Sequence, residues 1–142
     1  MTRGLPTEGD VLFTTEAPLG NAAVVRMTEL FALAQRVICF RHYGARHPEF
    51  LVLQLLSRPF QALLNKTATG LTARGIKGAK LKRLPLAVPP LAEQRRIVAK
   101  VDELMALCDR LEASLVSGED HRSRLLNALL AEALTPAEMT VV

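Results

Sequence analysis

Few side chains in this chain of 142 residues have the spacing that catalysis or metal binding requires. His42 and His47 are five residues apart and His121 is distant, so no pair has the spacing of zinc ligands. Neither of the Gly-rich phosphate-binding motifs occurs, and no serine lies in Gly-x-Ser-x-Gly. The adjacent acids Asp102 and Glu103 point apart on a helix, which is typical of solvated charges rather than of an acid–base pair. The sequence therefore predicts a chain that is not an enzyme and that uses no cofactor or metal.

The strongest candidate for ligand binding is the segment 66–83, which we call the basic segment. It contains six Lys or Arg, no Asp or Glu, three glycines and three threonines. Cations and backbone amides held close together suit the phosphates of DNA. A solvated basic loop has the same composition, so the charge run alone leaves both interpretations open.

Charge and composition exclude several classes of protein. Residues 1–90 have a balance of +7 and residues 91–142 a balance of −3. Aromatic residues make up only 4%, with no Trp, which argues against a stacking surface for single strands. Cys39 and Cys108 are too few for a disulfide scaffold. Because no apolar run reaches about 18 residues and no signal peptide is recognisable, we expect a soluble cytoplasmic protein.

The first part of the chain predicts a small sheet with a pair of short helices. Pro48 suits the first turn of one helix, and Ser57 suits the N-cap of the next, before Pro59. Turn residues occupy 16–21. Strands are predicted at 10–14, 22–26, 36–41 and 84–88, the last at a sheet edge because of its proline. The fold class is therefore α+β.

After Pro89-Pro90, apolar residues recur at the spacing of a coiled coil and predict a long helix. We call these residues the seam: Ile97, Val101, Leu104, Cys108, Leu111 and Leu115. Residues 91–116 would span about 39 Å, more than a small domain covers, so part of the seam is expected to meet another chain. The pattern fails at Gly118 and Arg122, and 117–120 has the composition of a helix restart. A helical hairpin and one long kinked helix both remain open.

Three pieces of the sequence carry a resemblance to a known family. The first is Gly9-Asp-Val-Leu-Phe-Thr-Thr-Glu-Ala-Pro-Leu-Gly20, and the second is Gly70-Leu-Thr-Ala-Arg-Gly-Ile76. The third and most specific is Leu84-Pro-Leu-Ala-Val-Pro-Pro-Leu-Ala-Glu-Gln-Arg-Arg-Ile-Val98, with the heptads of 101–112. In this order they are similar to the specificity subunit of Type I restriction–modification enzymes, specifically to the end of one target-recognition domain and its helical region.

This resemblance implies a non-catalytic role in a DNA-modifying complex. In that family a recognition domain reads a half-site of double-stranded DNA, and a long helix sets the spacing and docks the methylation subunits. A restriction subunit joins that core. The resemblance implies a partial recognition domain at 1–89, a helical spacer and dimerisation region at 90–135 and a tail at 136–142. Only nine residues precede Asp10, which suggests a fragment, a split gene product or a half-subunit that pairs with its own copy.

The resemblance also leads to expectations for individual residues of the basic segment and of the seam. We expect the basic segment to bind the DNA backbone and the seam to contact another helix, internal or from a second copy. The alternative is an oligomerisation or interaction module of such a complex with no DNA contact of its own. The expected DNA-binding residues are Arg74, Lys77, Lys80, Lys66, Lys82, Thr69 and Thr72.

Overall fold

The computed structural model describes residues 5–41, 47–70 and 74–134. Its strands are β1 (Val11–Thr15), β2 (Leu19–Val24) and β3 (Val37–Phe40). Its helices are α1 (Pro48–Leu56), α2 (Arg58–Thr67), α3 (Gly78–Leu81) and α4 (Leu91–Leu134). The predicted α+β class is confirmed. The chain divides into two units, 1–99 and 100–142.

The three strands form one antiparallel sheet with the order β2-β1-β3. In the central strand, Val11 pairs with Val24 on one side and with Phe40 on the other. The ladder between β1 and β2 is irregular between Phe13 and Thr15. Alternation along β1 buries Val11 and Phe13 completely, as expected for a strand with one face on a core.

Helices α1 and α2 supply the other side of this core, and the sequence signals at their ends act as predicted. Pro48 occupies the first turn of α1, and the Ser57 hydroxyl accepts a hydrogen bond from the Phe60 N–H at the start of α2. The core of this unit comprises Val11, Phe13, Leu55, Phe60, Leu64, Ile76 and Leu81. The Phe13 ring meets the Phe40 and Phe60 rings edge to face.

Gly20 allows α2 to approach β2 closely. Its φ is +93°, and a Cβ on this residue would lie 2.6 Å from Gln61 Oε1. The Gln61 amide nitrogen donates to the Gly20 carbonyl oxygen at 2.8 Å and to the Leu55 carbonyl oxygen at 2.7 Å. Glycine is therefore required here for both conformation and space.

Three predicted features are wrong. The turn predicted at 16–21 is shorter than expected, since β2 already begins at Leu19. Residues 84–88 are irregular chain rather than a strand, because Pro85 has no N–H to donate and no described strand pairs with them. The helix restart at 117–120 does not occur, since α4 continues from Leu91 to Leu134, and the described chain therefore contains no hairpin after Gly118. A glycine inside a helix costs only about 1 kcal/mol relative to alanine, and the stretches before and after it, 103–115 and 124–132, are rich in the strong helix formers Leu, Ala, Glu and Arg.

Candidate nucleic-acid interface and helical face

The basic segment begins at the end of α2 and returns to the sheet. Thr69 and Gly75 exchange two backbone hydrogen bonds of 3.0 Å, which close the intervening loop at its base. The Ile76 N–H then donates to the Thr15 carbonyl oxygen at 3.0 Å, so the segment attaches to the end of β1. Thr69 is exposed at this closure, and Thr72 lies outside the described residues.

Gly75 lets the returning segment lie against β1. A Cβ at this position would lie 3.2 Å from the Thr15 carbonyl oxygen and 3.3 Å from Glu16 Cγ. Glu16 is the acid nearest this point, and its carboxylate pairs with Arg36 at 3.1 Å. Its negative charge is therefore already matched by a cation outside the basic segment.

Short helix α3 presents the second half of the basic segment. Leu81 is buried in the core with Ile76, so two apolar side chains anchor this part of the chain. Lys77 is the N-cap of α3, Lys80 lies within it and Lys82 is its C-cap, and all three are exposed. Sequence reasoning did not predict α3, because four residues containing a glycine give no helical periodicity.

Five of the expected DNA-binding cations are exposed and unneutralised. In the part of the chain that the structure describes, no ion pair includes any of them. Arg74 also donates from Nη2 to the Asn65 carbonyl oxygen at 3.1 Å, which holds it beside the last turns of α2. These exposed residues are Lys66, Arg74, Lys77, Lys80 and Lys82. Arg83 is exposed next to them, although the sequence analysis did not select it.

A buried carboxylate holds the start of β1 and the end of β3 together. Asp10, only 4% exposed, accepts hydrogen bonds from the Thr7 N–H at 2.9 Å and from Arg41 Nη2 at 3.0 Å. Burial disfavours its charged form, yet hydrogen bonds from Arg41, Thr7 and Cys39 outweigh that effect and lower the pKa of Asp10 to about 2. Burial, together with the Asp10 carboxylate, raises the pKa of the Cys39 thiol to about 11. This cluster is structural rather than reactive, because the thiol stays protonated.

Gln94 is a buried polar residue that the sequence analysis missed. It is 2% exposed near the start of α4. Its Oε1 accepts from the His47 N–H at 3.0 Å, and its Nε2 donates to the Pro89 carbonyl oxygen at 2.8 Å. A glutamine has both a donor and an acceptor, so this one side chain links the N-terminus of α1 to the turn before α4. Its signal in the sequence is weak, because it is only an uncharged polar residue among charged ones after a proline pair.

The seam predicted in the sequence lies along one face of α4 and becomes exposed toward its C-terminus. Ile97 and Val101 are half-buried, whereas Leu104, Leu111 and Leu115 are 48%, 57% and 72% exposed. Cys108 is also exposed. Four more leucines farther along α4 are 54–65% exposed: Leu125, Leu126, Leu129 and Leu130. Such a long row of exposed leucines is typical of a surface that another helix covers.

In residues 5–41, 47–70 and 74–134, no three His, Cys, Asp or Glu side chains come together in a way that could hold a metal ion. No helix in these ranges combines the length and the apolar character that crossing a membrane requires.

Comparison with known proteins identifies relatives along most of the chain. Residues 3–116 match the family described as Type I restriction modification DNA specificity domain. The chain is 28% identical over 137 residues to the Type I restriction enzyme EcoAI specificity subunit of Escherichia coli, and 24% identical over 134 residues to the EcoEI specificity subunit of the same organism. These alignments cover 90% and 89% of this chain but only 23% of each relative.

Proposed function

The chain belongs to the family of Type I restriction modification DNA specificity domains, and we propose that it binds one half-site of double-stranded DNA for a modification complex. Specificity subunits of such systems are non-catalytic, so family membership agrees with the prediction from the sequence that the chain is not an enzyme. Because the chain spans about a quarter of the length of its curated relatives, the binding partners below are part of the proposal.

One observation carries the DNA-binding part of this proposal. Five exposed cations of the basic segment have no carboxylate partner among the described residues, and buried Ile76 and Leu81 anchor the chain between them. A fixed group of free cations can neutralise phosphates, and each such contact releases counterions from the DNA. Thr69, and Thr72 outside the described residues, would add hydroxyl donors to phosphate or base.

Helix α4 supports the second part of the proposal, which concerns partners. We propose that this helix docks a methylation subunit and that its exposed seam pairs with the helix of a second copy. Two copies related by a twofold axis would then present two basic segments to the two halves of a symmetric site. A restriction subunit would join indirectly, through the methylation subunits. The corresponding organisation is a recognition part at 1–89, a helical spacer and dimerisation region at 90–135 and a tail at 136–142, acting in the cytoplasm without membrane contact.

A gel-shift experiment with random-sequence duplex DNA tests the DNA-binding part. The full chain is titrated at low salt, alone and with a methylation subunit of a Type I restriction–modification system. A retarded complex that disappears as salt rises supports the proposal, because phosphate contacts are salt-dependent. No complex under either condition, or a complex insensitive to salt, contradicts it.

The exposed seam favours a second candidate function. Because that face is large and independent of the basic segment, the chain could serve as an interaction module that occupies a methylation subunit without contacting DNA. In the gel shift this alternative predicts no retarded DNA, and in a separate sedimentation experiment it predicts that the chain co-sediments with the methylation subunit.

A further inference from the structure

Arg36 has a backbone conformation that residues other than glycine rarely adopt. Its φ is +75°, in the left-handed region, and it stands immediately before β3. Glycine would adopt this φ without a steric penalty, so the turn by itself does not require an arginine. Non-glycine residues held at such φ values cluster at active sites and ligand clamps. The side chain of Arg36 must therefore supply something that the turn does not need.

Hydrogen bonds from Thr15 hold Arg36 beside the basic segment. The Thr15 N–H donates to the Arg36 carbonyl oxygen at 2.7 Å, and the Thr15 hydroxyl donates to the same oxygen at 2.8 Å. The carbonyl oxygen of Thr15 accepts from the Ile76 N–H, where the basic segment attaches to β1. One residue, Thr15, therefore joins both Arg36 and the returning basic segment to the same end of the sheet.

An ion pair with Glu16 restrains the guanidinium of Arg36. Arg36 Nε lies 3.1 Å from Glu16 Oε2, and the Arg36 side chain is 58% exposed. A guanidinium has five N–H donors in a planar fork, and an ion pair at Nε does not need those on the two Nη nitrogens. Because the nearby carboxylate cancels much of its charge at a distance, Arg36 adds little to the general attraction of phosphates. Its remaining donors suit a contact that depends on direction rather than on charge.

We propose that Arg36 reads a guanine in the DNA half-site. In the major groove the N7 and O6 atoms of guanine accept two parallel hydrogen bonds, and a bidentate arginine is a common source of them. The cations of the basic segment contact phosphates and position the domain, while Arg36 makes the contact that depends on sequence. Glu16 is a positioning residue that acts through the guanidinium. This inference rests on the DNA binding proposed above and adds a residue that determines its specificity.

Selection from a pool of random duplexes, by the full chain with a methylation subunit of a Type I restriction–modification system, tests the assignment. The parent is expected to enrich a sequence with a guanine at a fixed position of each half-site. Arg36→Lys keeps the positive charge but lacks the planar fork, so its enriched sequence should lose that guanine and keep the other positions. In anisotropy titrations the parent should prefer this guanine over adenine by at least about tenfold, and the variant by less than about threefold.

Arg26 provides the matched control. It is also an exposed arginine in an ion pair, 3.8 Å from Glu49. It follows β2, whose register places it at the opposite end of the sheet from Thr15. Arg26→Lys should therefore enrich the same sequence as the parent.

Two further variants separate the reading of a base from a purely structural role. Glycine adopts the φ of residue 36 without strain, so Arg36→Gly should keep its thermal midpoint within about 5 °C of the parent yet lose the guanine preference. Glu16→Gln keeps the size of the side chain but not its charge, and it should weaken that preference without changing the preferred base. If the ion pair served only to join the turn after β1 to β3, both variants would lower the midpoint and enrich the sequence of the parent.

The outcomes separate this assignment from the DNA binding on which it rests. A guanine that is lost in both Arg36 variants and kept in Arg26→Lys supports both. The same enriched sequence for the parent and the Arg36 variants overturns the assignment and leaves sequence-specific binding standing. Equal weakening on every duplex also overturns it, because Arg36 would then be a phosphate contact. A parent that enriches no sequence overturns the proposed reading of DNA and the assignment with it.

Discussion

Replacing Arg74 and Lys77 together by alanine is expected to weaken binding to random-sequence duplex DNA and to flatten its dependence on salt. Both cations are exposed in the basic segment, and neither pairs with a carboxylate among the described residues. Each cation that neutralises a phosphate contributes about −0.9 to the slope of log K against log salt concentration. The change in slope therefore counts the phosphate contacts that the substitutions remove.

The expected magnitude follows from the number of exposed cations. If the five described candidates each contact one phosphate, the slope of the parent is about −4.5 and that of the double variant about −2.7. Raising the salt concentration from about 50 to about 200 mM would then lower the affinity of the parent about 500-fold and that of the variant about 40-fold. Fluorescence anisotropy of a labelled duplex across a salt series measures both slopes.

The control must remove the same net charge elsewhere. Arg58, at the opposite end of α2 from Lys66, and Arg110, on α4, are both exposed, so the double variant Arg58→Ala/Arg110→Ala has the same net charge as the test variant. Its slope should equal that of the parent. Identical slopes for the parent and the Arg74/Lys77 variant, or equal flattening in the control, would show that the basic segment is not the phosphate-binding surface. Arg74 also donates to Asn65, so the thermal midpoint of each variant is recorded beside its slope.

Three further substitutions test the physical account of the fold. Gly20→Ala should lower the free energy of unfolding, measured by urea titration, by about 3 kcal/mol, because the alanine Cβ would clash with Gln61 and the backbone there has a positive φ. Gly78→Ala is the control: the nearest atom to its Cβ would be 3.4 Å away, so the change should be less than about 1 kcal/mol. Gln94→Ala should lower the free energy of unfolding by about 2 kcal/mol, because two backbone groups would lose their hydrogen-bond partner. A loss under about 0.5 kcal/mol would contradict that role. Asp10→Asn should lower the free energy of unfolding by about 2 kcal/mol at neutral pH. Because the pKa of Asp10 is lowered from 3.8 to about 2, that difference is complete above about pH 5 and shrinks as pH falls through 3.8 toward 2. A pH-independent difference would refute the ionised form.

The local signals in the sequence predicted most of the first unit because each depends on neighbouring residues. The strand predicted at 10–14, the first-turn Pro48 and the Ser57 N-cap each depend on residues within one element. The structure confirms all three, with the strand at Val11–Thr15. The family resemblance is confirmed as well, since residues 3–116 match that family.

The predictions failed where the structure depends on contacts with residues distant in the chain, or where neighbouring residues have opposing preferences. Residues 84–88 have strand-like composition, yet a strand needs a partner, which no local pattern reveals. At 117–120 the serine, glycine and acids resemble a cap, but the helix formers on both sides favour continuation. Gln94 and Asp10 acquire their roles only when α1, α4 and the sheet edge come together.

The sequence predicted the candidate site as a run of charged residues, but it did not predict the geometry of that site. The cations of the basic segment are visible in the sequence, whereas their attachment to β1 depends on Gly75 and on the bond between Ile76 and Thr15.

Selection from a pool of random duplexes tests the central claim most directly. The full chain, with its methylation subunit, is allowed to bind the pool at moderate salt, and the retained duplexes are sequenced. We expect enrichment of a two-part sequence whose halves are related by a twofold axis and separated by a fixed spacer. Retention of duplexes without any enriched sequence, or no retention above that of the methylation subunit alone, would contradict the claim that this chain reads DNA.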